Sequence, residues 1–300
     1  MFEVRTDLAV EENERIQKQN ASMRGISVDE EKSENGNIRV TTVRIETENA
    51  VRMMGKPKGT YITLESPELA EETDDYHRMI SEKLAELLRR LIPEEKKERS
   101  ILVAGLGNRS VTPDALGPRV ADQLCITRHI LKEYGSFAYG SDDIRSVSAI
   151  VPGVMAQTGM ETREILSGIV RQVKPDYLIV IDALAARSLK RLCRTIQLSD
   201  TGISPGSGVG NHRHSITEKT LGIPVIAVGI PTVVEAATIV QDFMSEYLKD
   251  MPAEEYRPRL LSPQLNQMFV TSKDIDAQIR QLSYTVSEGI NRAFCRIPRP

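Results

Sequence analysis

From Ser100 onward, short apolar runs alternate with segments of helical periodicity, and this alternation constrains the fold more than any other feature of the chain. The apolar runs end in Gly, Asp or Pro and predict strands at residues 101–106, 147–151, 177–181, 195–198 and 224–229. The segments between them predict helices at residues 118–130, 161–173 and 236–248. Because such alternation is typical of βαβ units, the sequence predicts an α/β fold on a mainly parallel or mixed sheet with helices on both faces.

Residues 1–99 carry a different pattern, which predicts an N-terminal strand and helix extension before the core of residues 100–300. A helix-prone stretch covers residues 10–20, an exposed turn covers residues 29–37, and strands follow at residues 38–47 and 60–65. Ser66 is a candidate N-cap, and the apolar residues up to Leu91 recur at intervals of three and four, which predicts one long amphipathic helix. A last helix from about Lys273 closes what we expect to be a single domain.

The charge balance and the cysteines exclude several classes of protein. With 39 Lys and Arg against 42 Asp and Glu the net charge is -3, so nothing indicates a surface that binds nucleic acid directly. Cys125, Cys193 and Cys295 are odd in number and lack a C-x-x-C spacing, which predicts free thiols in a reducing, cytoplasmic compartment. The N-terminus has no apolar run after a basic segment, and prolines and a glutamate interrupt the most apolar stretch, residues 223–240, so we expect neither a signal peptide nor a membrane span.

Two carboxylates follow strands of the predicted core. Asp114 lies in the loop after strand 101–106, and Asp182 follows strand 177–181. In open α/β sheets, ligands bind at the carboxyl ends of strands, where two neighbouring acids can share a proton and polarise a water molecule. A turn cap at Asp114 and a strand end at Asp182 would explain the same spacing, and spacing alone does not decide between the two interpretations.

A nucleotide site is the competing interpretation of the first loop. Gly105-Leu106-Gly107 would then cradle a phosphate, and the chain would be a non-enzymatic α/β binding protein. The third glycine of that motif is missing, and Pro113 and Asp114 crowd the place of a pyrophosphate. No Gly-Lys-Ser or Gly-Lys-Thr follows, which excludes a Walker loop.

The glycine-rich loop of residues 202–210 offers backbone N–H donors around Ser207. Ser207 lacks the G-x-S-x-G frame, which disfavours a Ser207/His212/Asp182 triad. His212 and His214 form an H-x-H pair that could bind a metal with one of the acids, although a solvated basic loop explains the pair equally.

Taken in chain order, these motifs resemble those of the germination protease family over nearly the whole chain. The matching strings are RTDLA at residues 5–9, GLGN at 105–108, VTPDALGP at 111–118, PGV at 152–154, QTG at 157–159, DALA at 182–185, DTGISPGSGVGN at 200–211 and PTVVE at 231–235. Glycine-rich strings of this length are not expected to recur by chance.

The resemblance implies a single-domain α/β peptidase, similar in core to the hydrogenase maturation endopeptidases. It also implies a homotetramer that is made as a precursor and activated by self-cleavage near its N-terminus. The acids regarded as catalytic in the family map onto Asp114 and Asp182. Because four residues precede RTDLA here, it implies either a very short propeptide or numbering from an activated form.

The resemblance further implies an endopeptidase that initiates the degradation of small acid-soluble spore proteins in the spore core. Such substrates are cut beside a glutamate, so Arg109 and Arg187 are candidates to hold an acidic side chain, with Gly206, Ser207 and Gly208 lining the substrate. We expect no cofactor. The alternative is a metal-dependent endopeptidase with the same acids, for which His212 and His214 fit the missing histidine only loosely.

Overall fold

The computed structural model describes residues 6–18, 24–33, 37–70, 74–92, 100–139, 144–206, 214–247 and 265–295, and these ranges contain nine strands. In chain order they are β1 (Ile26–Lys32), β2 (Arg39–Ile45), β3 (Gly59–Glu65), β4 (Ser100–Gly105), β5 (Ser146–Ile150), β6 (Tyr177–Ala186), β7 (Thr195–Ser199), β8 (Val225–Glu235) and β9 (Phe269–Val270).

Ten helices lie in the described ranges, three of them before β4 and seven after it. They are α1 (Ala9–Lys18), α2 (Glu48–Met54), α3 (Asp74–Leu91), α4 (Leu116–Asp122), α5 (Arg128–Tyr134), α6 (Met155–Thr158), α7 (Thr162–Val173), α8 (Glu218–Leu221), α9 (Ala236–Tyr247) and α10 (Ile275–Phe294). Within the described ranges, no helix has the length and apolar character needed to cross a membrane.

All of these strands belong to one mixed sheet. The strand order is β1-β2-β3-β7-β8-β6-β4-β5, and β9 pairs with β8. The pairs β4–β5, β4–β6 and β6–β8 are parallel, whereas the other neighbours run antiparallel. The N-terminal strands therefore extend the sheet of the core through the β3–β7 pair, and the predicted α/β fold on a mixed sheet is confirmed.

Strand β4 shows how the sheet divides the apolar core. Its residues Ile101 and Val103 belong to a cluster with residues of α3, α4 and α10. Leu102 and Ala104 belong to a second cluster with Leu166 of α7. Because successive side chains of a strand point to opposite faces, helices cover both faces of the sheet, as the sequence predicts.

The exposed turn predicted at residues 29–37 is wrong for its first part, since residues 29–32 belong to strand β1. Charged side chains fill these positions because β1 is an edge strand with much of its surface in water. Glu31 pairs with Arg90 of α3 at 2.7 Å, and each residue of β1 is in register with a residue of β2. Residues 34–36 lie outside the described part of the chain.

Two predicted helices have different limits in the structure. The helix expected to start at Pro67 begins at Asp74, and residues Pro67–Ala70 form a separate 3₁₀ turn. The helix predicted at residues 118–130 is two helices, α4 and α5. The interruption lies at Thr127. Its N–H donates a hydrogen bond to the carbonyl of Val147 in β5, and its hydroxyl donates to the carbonyl of Arg145.

Candidate active site

Asp114 lies at the end of a short 3₁₀ turn (Thr112–Asp114) between strand β4 and helix α4. Its carboxylate accepts a hydrogen bond of 2.7 Å from the backbone N–H of Asn108. This contact closes the loop after β4 like an Asp side chain in a turn, as one of the two interpretations of the sequence requires. The residue is half-buried, so its carboxylate can also meet a ligand.

The glycines beside Asp114 serve close backbone contacts. A Cβ on Gly107, whose φ is 110°, would lie 2.0 Å from the carbonyl oxygen of Asp114. A Cβ on Gly117 would lie 2.3 Å from the carbonyl oxygen of Leu106 and 2.6 Å from that of Ile181. The glycines therefore let the loop and the start of α4 pack against the strand ends, and the position of Gly107 faces Asp114 rather than an open phosphate site.

Asp182 lies inside strand β6, which continues to Ala186, so the prediction that it ends the strand is wrong. The strand is longer because β8 also continues beyond residue 229 and stays paired with it, across a register shift at Leu184 and Ala185. The side chain of Asp182 is 6% exposed, and its carboxylate accepts a hydrogen bond of 3.0 Å from the N–H of Ala183.

A cavity of about 490 Å³ brings these two acids together. Its lining residues include both Asp114 and Asp182, and it opens beside the carboxyl ends of β4 and β6. Further lining residues come from the loops after β5 and β7 and from the region of β8 and β9: Gly153, Val154, Pro205, Gly206, Thr232, Val233, Phe269 and Thr271. Two carboxylates at one mostly apolar cavity can share a proton and activate a water molecule.

Thr232 and Thr271 are lining residues that the sequence analysis missed. The hydroxyl of Thr232, which is 1% exposed, donates a hydrogen bond of 2.7 Å to the carbonyl of Pro113. The hydroxyl of Thr271 donates at 2.7 Å to the carbonyl of Thr232. These bonds tie the turn that carries Asp114 to strand β8, and the PTVVE string was the one signal that marked Thr232.

Asp7 is a third acid at the cavity, and nothing in its spacing from the other acids predicts this. Its carboxylate accepts a hydrogen bond of 2.9 Å from the N–H of Ala185, and its own N–H donates at 3.0 Å to the carbonyl of Ala185. Glu11 adds a second attachment, since it accepts hydrogen bonds from the N–H groups of Arg187 and Ser188 at 2.8 and 2.9 Å. The start of the described chain is therefore fastened to the end of β6.

The carbonyl of Asp7 faces a smaller cavity of about 190 Å³, which adjoins the first. It accepts hydrogen bonds of 2.9 Å from the ammonium of Lys56 and of 2.9 Å from the side-chain amide of Gln197. Removal from water lowers the pKa of Lys56, and the negative charges of Asp7, Glu12 and Glu11 oppose that change.

The two arginines predicted to hold an acidic substrate side chain lie outside the described lining of the larger cavity. Arg109 is exposed and forms an ion pair with Asp122 of α4. Arg187 pairs with Asp242 of α9 at 2.9 Å. The hydrogen bond from Arg109, together with the charges of Arg109 and Arg119, holds the pKa of Asp122 below its ordinary value.

The remaining predicted positions are divided between the cavity and the undescribed part of the chain. Gly206 lines the cavity, whereas Ser207, Gly208 and His212 lie outside the described residues. His214 is exposed and is not among the described lining residues. In the part of the chain that the structure describes, no three His, Cys, Asp or Glu side chains form a group suited to a metal ion.

Asp114 and Asp182 meet at one cavity of a mixed α/β sheet. Among classes of protein, this arrangement suits a hydrolytic enzyme best. Comparison with known proteins identifies the family. The sequence profile described as germination protease matches residues 3–259. The chain belongs to the germination protease family, and its activity class is that of a protease.

Individual relatives agree over nearly their full length. The germination protease of Caldanaerobacter subterraneus subsp. tengcongensis is 46% identical, over 97% of this chain and 94% of that relative. The germination protease of Clostridium perfringens is 43% identical, over 98% and 96%. That of Priestia megaterium is 39% identical, over 98% and 94%.

Among solved structures, the [NiFe] hydrogenase maturation protease HycI of Thermococcus kodakarensis is a neighbour. It is 15% identical with a TM-score of 0.33, over 68% of this chain and 99% of that structure. A score of this size does not establish a shared fold, and the fold assignment rests on the sheet described above.

Proposed function

We propose that this protein is an endopeptidase that initiates the degradation of small acid-soluble spore proteins during germination. The observation that carries the proposal is the shared cavity: Asp114 and Asp182, which match the acids regarded as catalytic in the family, both line it. The family membership supports a protease that acts in germination, and the cavity supports these two acids as its reacting groups.

In the proposed mechanism the two carboxyl groups hold one proton between them. The ionised one acts as general base and removes a proton from water, which then attacks the scissile carbonyl. The protonated one donates to the departing nitrogen. Two carboxylates that approach each other disfavour simultaneous ionisation, and the presence of both acids in the lining of one cavity supports such sharing.

The substrate is proposed to be cut beside an acidic residue, with its backbone along residues 206–208. Gly206, at the cavity wall, supports this path. Arg109 and Arg187 remain candidates for the acidic side chain, and each would have to leave its carboxylate partner, Asp122 or Asp242, to take that role.

Activation is proposed to occur by self-cleavage of a precursor near its N-terminus. The attachment of Asp7 at the wall of the same cavity supports this, since it keeps an N-terminal peptide bond close to the reacting acids. The active enzyme is proposed to be a homotetramer in the cytoplasm of the spore core, without direct contact to nucleic acid.

The experiment that tests the proposal is digestion of a purified small acid-soluble spore protein, with the new ends mapped by mass spectrometry. We expect cuts beside a glutamate, and we expect Asp114→Asn and Asp182→Asn each to lower kcat/KM by about 10²- to 10⁴-fold or more. Asp276→Asn, on the exposed side of α10, is the matched control and keeps full activity. An intact spore protein would contradict the function, and an active, folded Asp182→Asn variant would contradict the paired-acid mechanism.

A further inference from the structure

Two cysteines that are distant in sequence meet at the end of helix α10. The Sγ atoms of Cys125 and Cys295 are 2.7 Å apart, although 170 positions separate the two residues in the chain. We infer that Cys125 and Cys295 form a modification site, at which a hydroperoxide converts the two thiols to an intramolecular disulfide. A disulfide bond is about 2.0 Å long, so the sulfur atoms need to approach by well under 1 Å.

Hydrogen bonds of the backbone hold the two residues in place. The N–H of Cys125 donates to the side-chain oxygen of Asn291 at 2.8 Å, and the N–H of Cys295 donates to the carbonyl of Asn291 at 2.7 Å. The side-chain amide of Asn291 also donates to the carbonyl of Gln123 at 3.2 Å. One residue of α10 thus fixes both cysteines, and their proximity follows from the fold rather than from two freely rotating side chains.

The two thiols differ in access to solvent. Cys125 is half-buried, whereas Cys295 is 8% exposed. Burial, together with the contact to Cys125, raises the pKa of Cys295 to about 12. An oxidant therefore reaches Cys125 first, and Cys295 is the thiol placed to resolve the product because its Sγ lies 2.7 Å from that of Cys125.

The reaction balances with the hydroperoxide as the oxidant. The sulfur of Cys125 takes the terminal oxygen, the O–O bond breaks, and a sulfenic acid and an alcohol result. The sulfur of Cys295 then attacks the sulfenic sulfur, its proton leaves with the hydroxyl group as water, and the S–S bond forms. Two thiols lose two electrons and two protons in total, and a thiol reductant reverses the change.

The disulfide would join the end of α10 to the loop after α4, the helix that follows the turn of Asp114. Neither cysteine belongs to the described lining of the larger cavity, so peptide hydrolysis stays unchanged. The effect is on stability, because the cross-link restricts a long segment of the unfolded chain. We expect the oxidised form to melt higher by an amount on the order of 5–10 °C.

Cys193 provides the internal control. Cys193 lies just before strand β7, away from the other two cysteines in the chain. It is 1% exposed, and burial raises its pKa to about 12. The experiment treats the folded full-length protein with a small molar excess of hydrogen peroxide, alkylates the remaining thiols after unfolding, and maps the peptides by mass spectrometry. Cys125→Ser, Cys295→Ser and Cys193→Ser variants are treated in parallel, and each melting temperature is measured with and without dithiothreitol.

We expect the wild type and Cys193→Ser to lose two thiols to a Cys125–Cys295 disulfide and to gain stability that dithiothreitol removes. The Cys125→Ser and Cys295→Ser variants should show no such gain. The inference is overturned if Cys295 stays free while Cys125 accumulates as a sulfinic acid, if the disulfide joins two chains or includes Cys193, or if the oxidised wild type does not melt higher. The wild-type result alone decides the chemistry, even if a serine variant folds poorly.

Discussion

The carboxylate of Asp7 accepts a hydrogen bond from the backbone N–H of Ala185, three residues beyond Asp182 on strand β6. Ala185 is 2% exposed, so water does not easily replace the carboxylate of Asp7 as the acceptor for this N–H group. The contact therefore links the N-terminal segment to the strand that carries one of the proposed catalytic acids.

We predict that Asp7→Ala lowers the free energy of unfolding by about 1–3 kcal/mol, because it leaves the N–H of Ala185 without its acceptor. Asp7→Asn keeps an acceptor oxygen in the same place, so its free energy of unfolding should fall by clearly less. Urea unfolding measures both, in an Asp114→Asn background that blocks the proposed self-cleavage. Equal stability of the Ala and Asn variants would show that this hydrogen bond does not fasten the segment.

Thr232 gives a second prediction, which concerns the position of Asp114. Thr232→Val keeps the shape of the side chain but removes the donor to the carbonyl of Pro113. We expect kcat/KM to fall by about 10-fold and the free energy of unfolding by about 1–2 kcal/mol, since the turn loses its tie to β8. Thr232→Ser retains the hydroxyl and serves as the control in both measurements. A Thr232→Val enzyme with wild-type kcat/KM would contradict a positioning role.

Tyr61 makes the stability depend on alkaline pH. Burial raises the pKa of its phenol to about 12, and its hydroxyl donates at 2.9 Å to the carbonyl of Pro57. Between pH 10 and 12 the folded state keeps a proton that the unfolded state releases, so this contribution to stability is lost as the pH rises through the window. From pH 10 to 11 the free energy of unfolding, measured with urea, should fall by up to about 1.4 kcal/mol more in the wild type than in Tyr61→Phe. Parallel curves for the two proteins would disprove the shift.

The metal-dependent alternative predicts a different response to chelation. Both acids would then be ionised ligands, and an imidazole would complete the site, so chelator and histidine substitution should each abolish activity. We expect instead that cleavage of a spore-protein peptide continues in excess EDTA and in the His212→Ala/His214→Ala variant. Arg213 lies between these histidines, and its charge disfavours a cation nearby. A stoichiometric metal whose removal and return switch activity off and on would support the alternative.

The sequence predicted the parts of the structure that depend on local pattern. Buried apolar runs marked the strands from β4 to β8, and the three- and four-residue spacing marked α3 and α10. It also proposed Asp114 and Asp182, which the fold brings to one cavity. The contact of Asp7 with Ala185 could not be predicted, because 178 positions separate the residues and neither carries a signal for pairing. The hydrogen bond of Thr232 could not be predicted for a related reason, since the sequence does not indicate which carbonyl a hydroxyl inside an apolar strand contacts.

The limits of β6 and β8 escaped prediction for a different reason. Asp182 and Pro231 resemble strand terminators in isolation. In the structure, however, β6 lies between β4 and β8, and the pairing of β6 with β8 continues to Ala186 despite the shift in register. The cooperative pairing of neighbouring strands outweighs the local preference of single residues.

Strand β1 forms one outer edge of the sheet, and its acidic side chains have a consequence for the protein in concentrated solution. Glu30 and Glu31 are held by Arg39 and Arg90 at 3.1 and 2.7 Å. A second chain that tried to add a strand at this edge would have to bring its own backbone against these charges and break the ion pairs. The charged β1 edge therefore disfavours the addition of a strand from a second chain at this end of the described sheet.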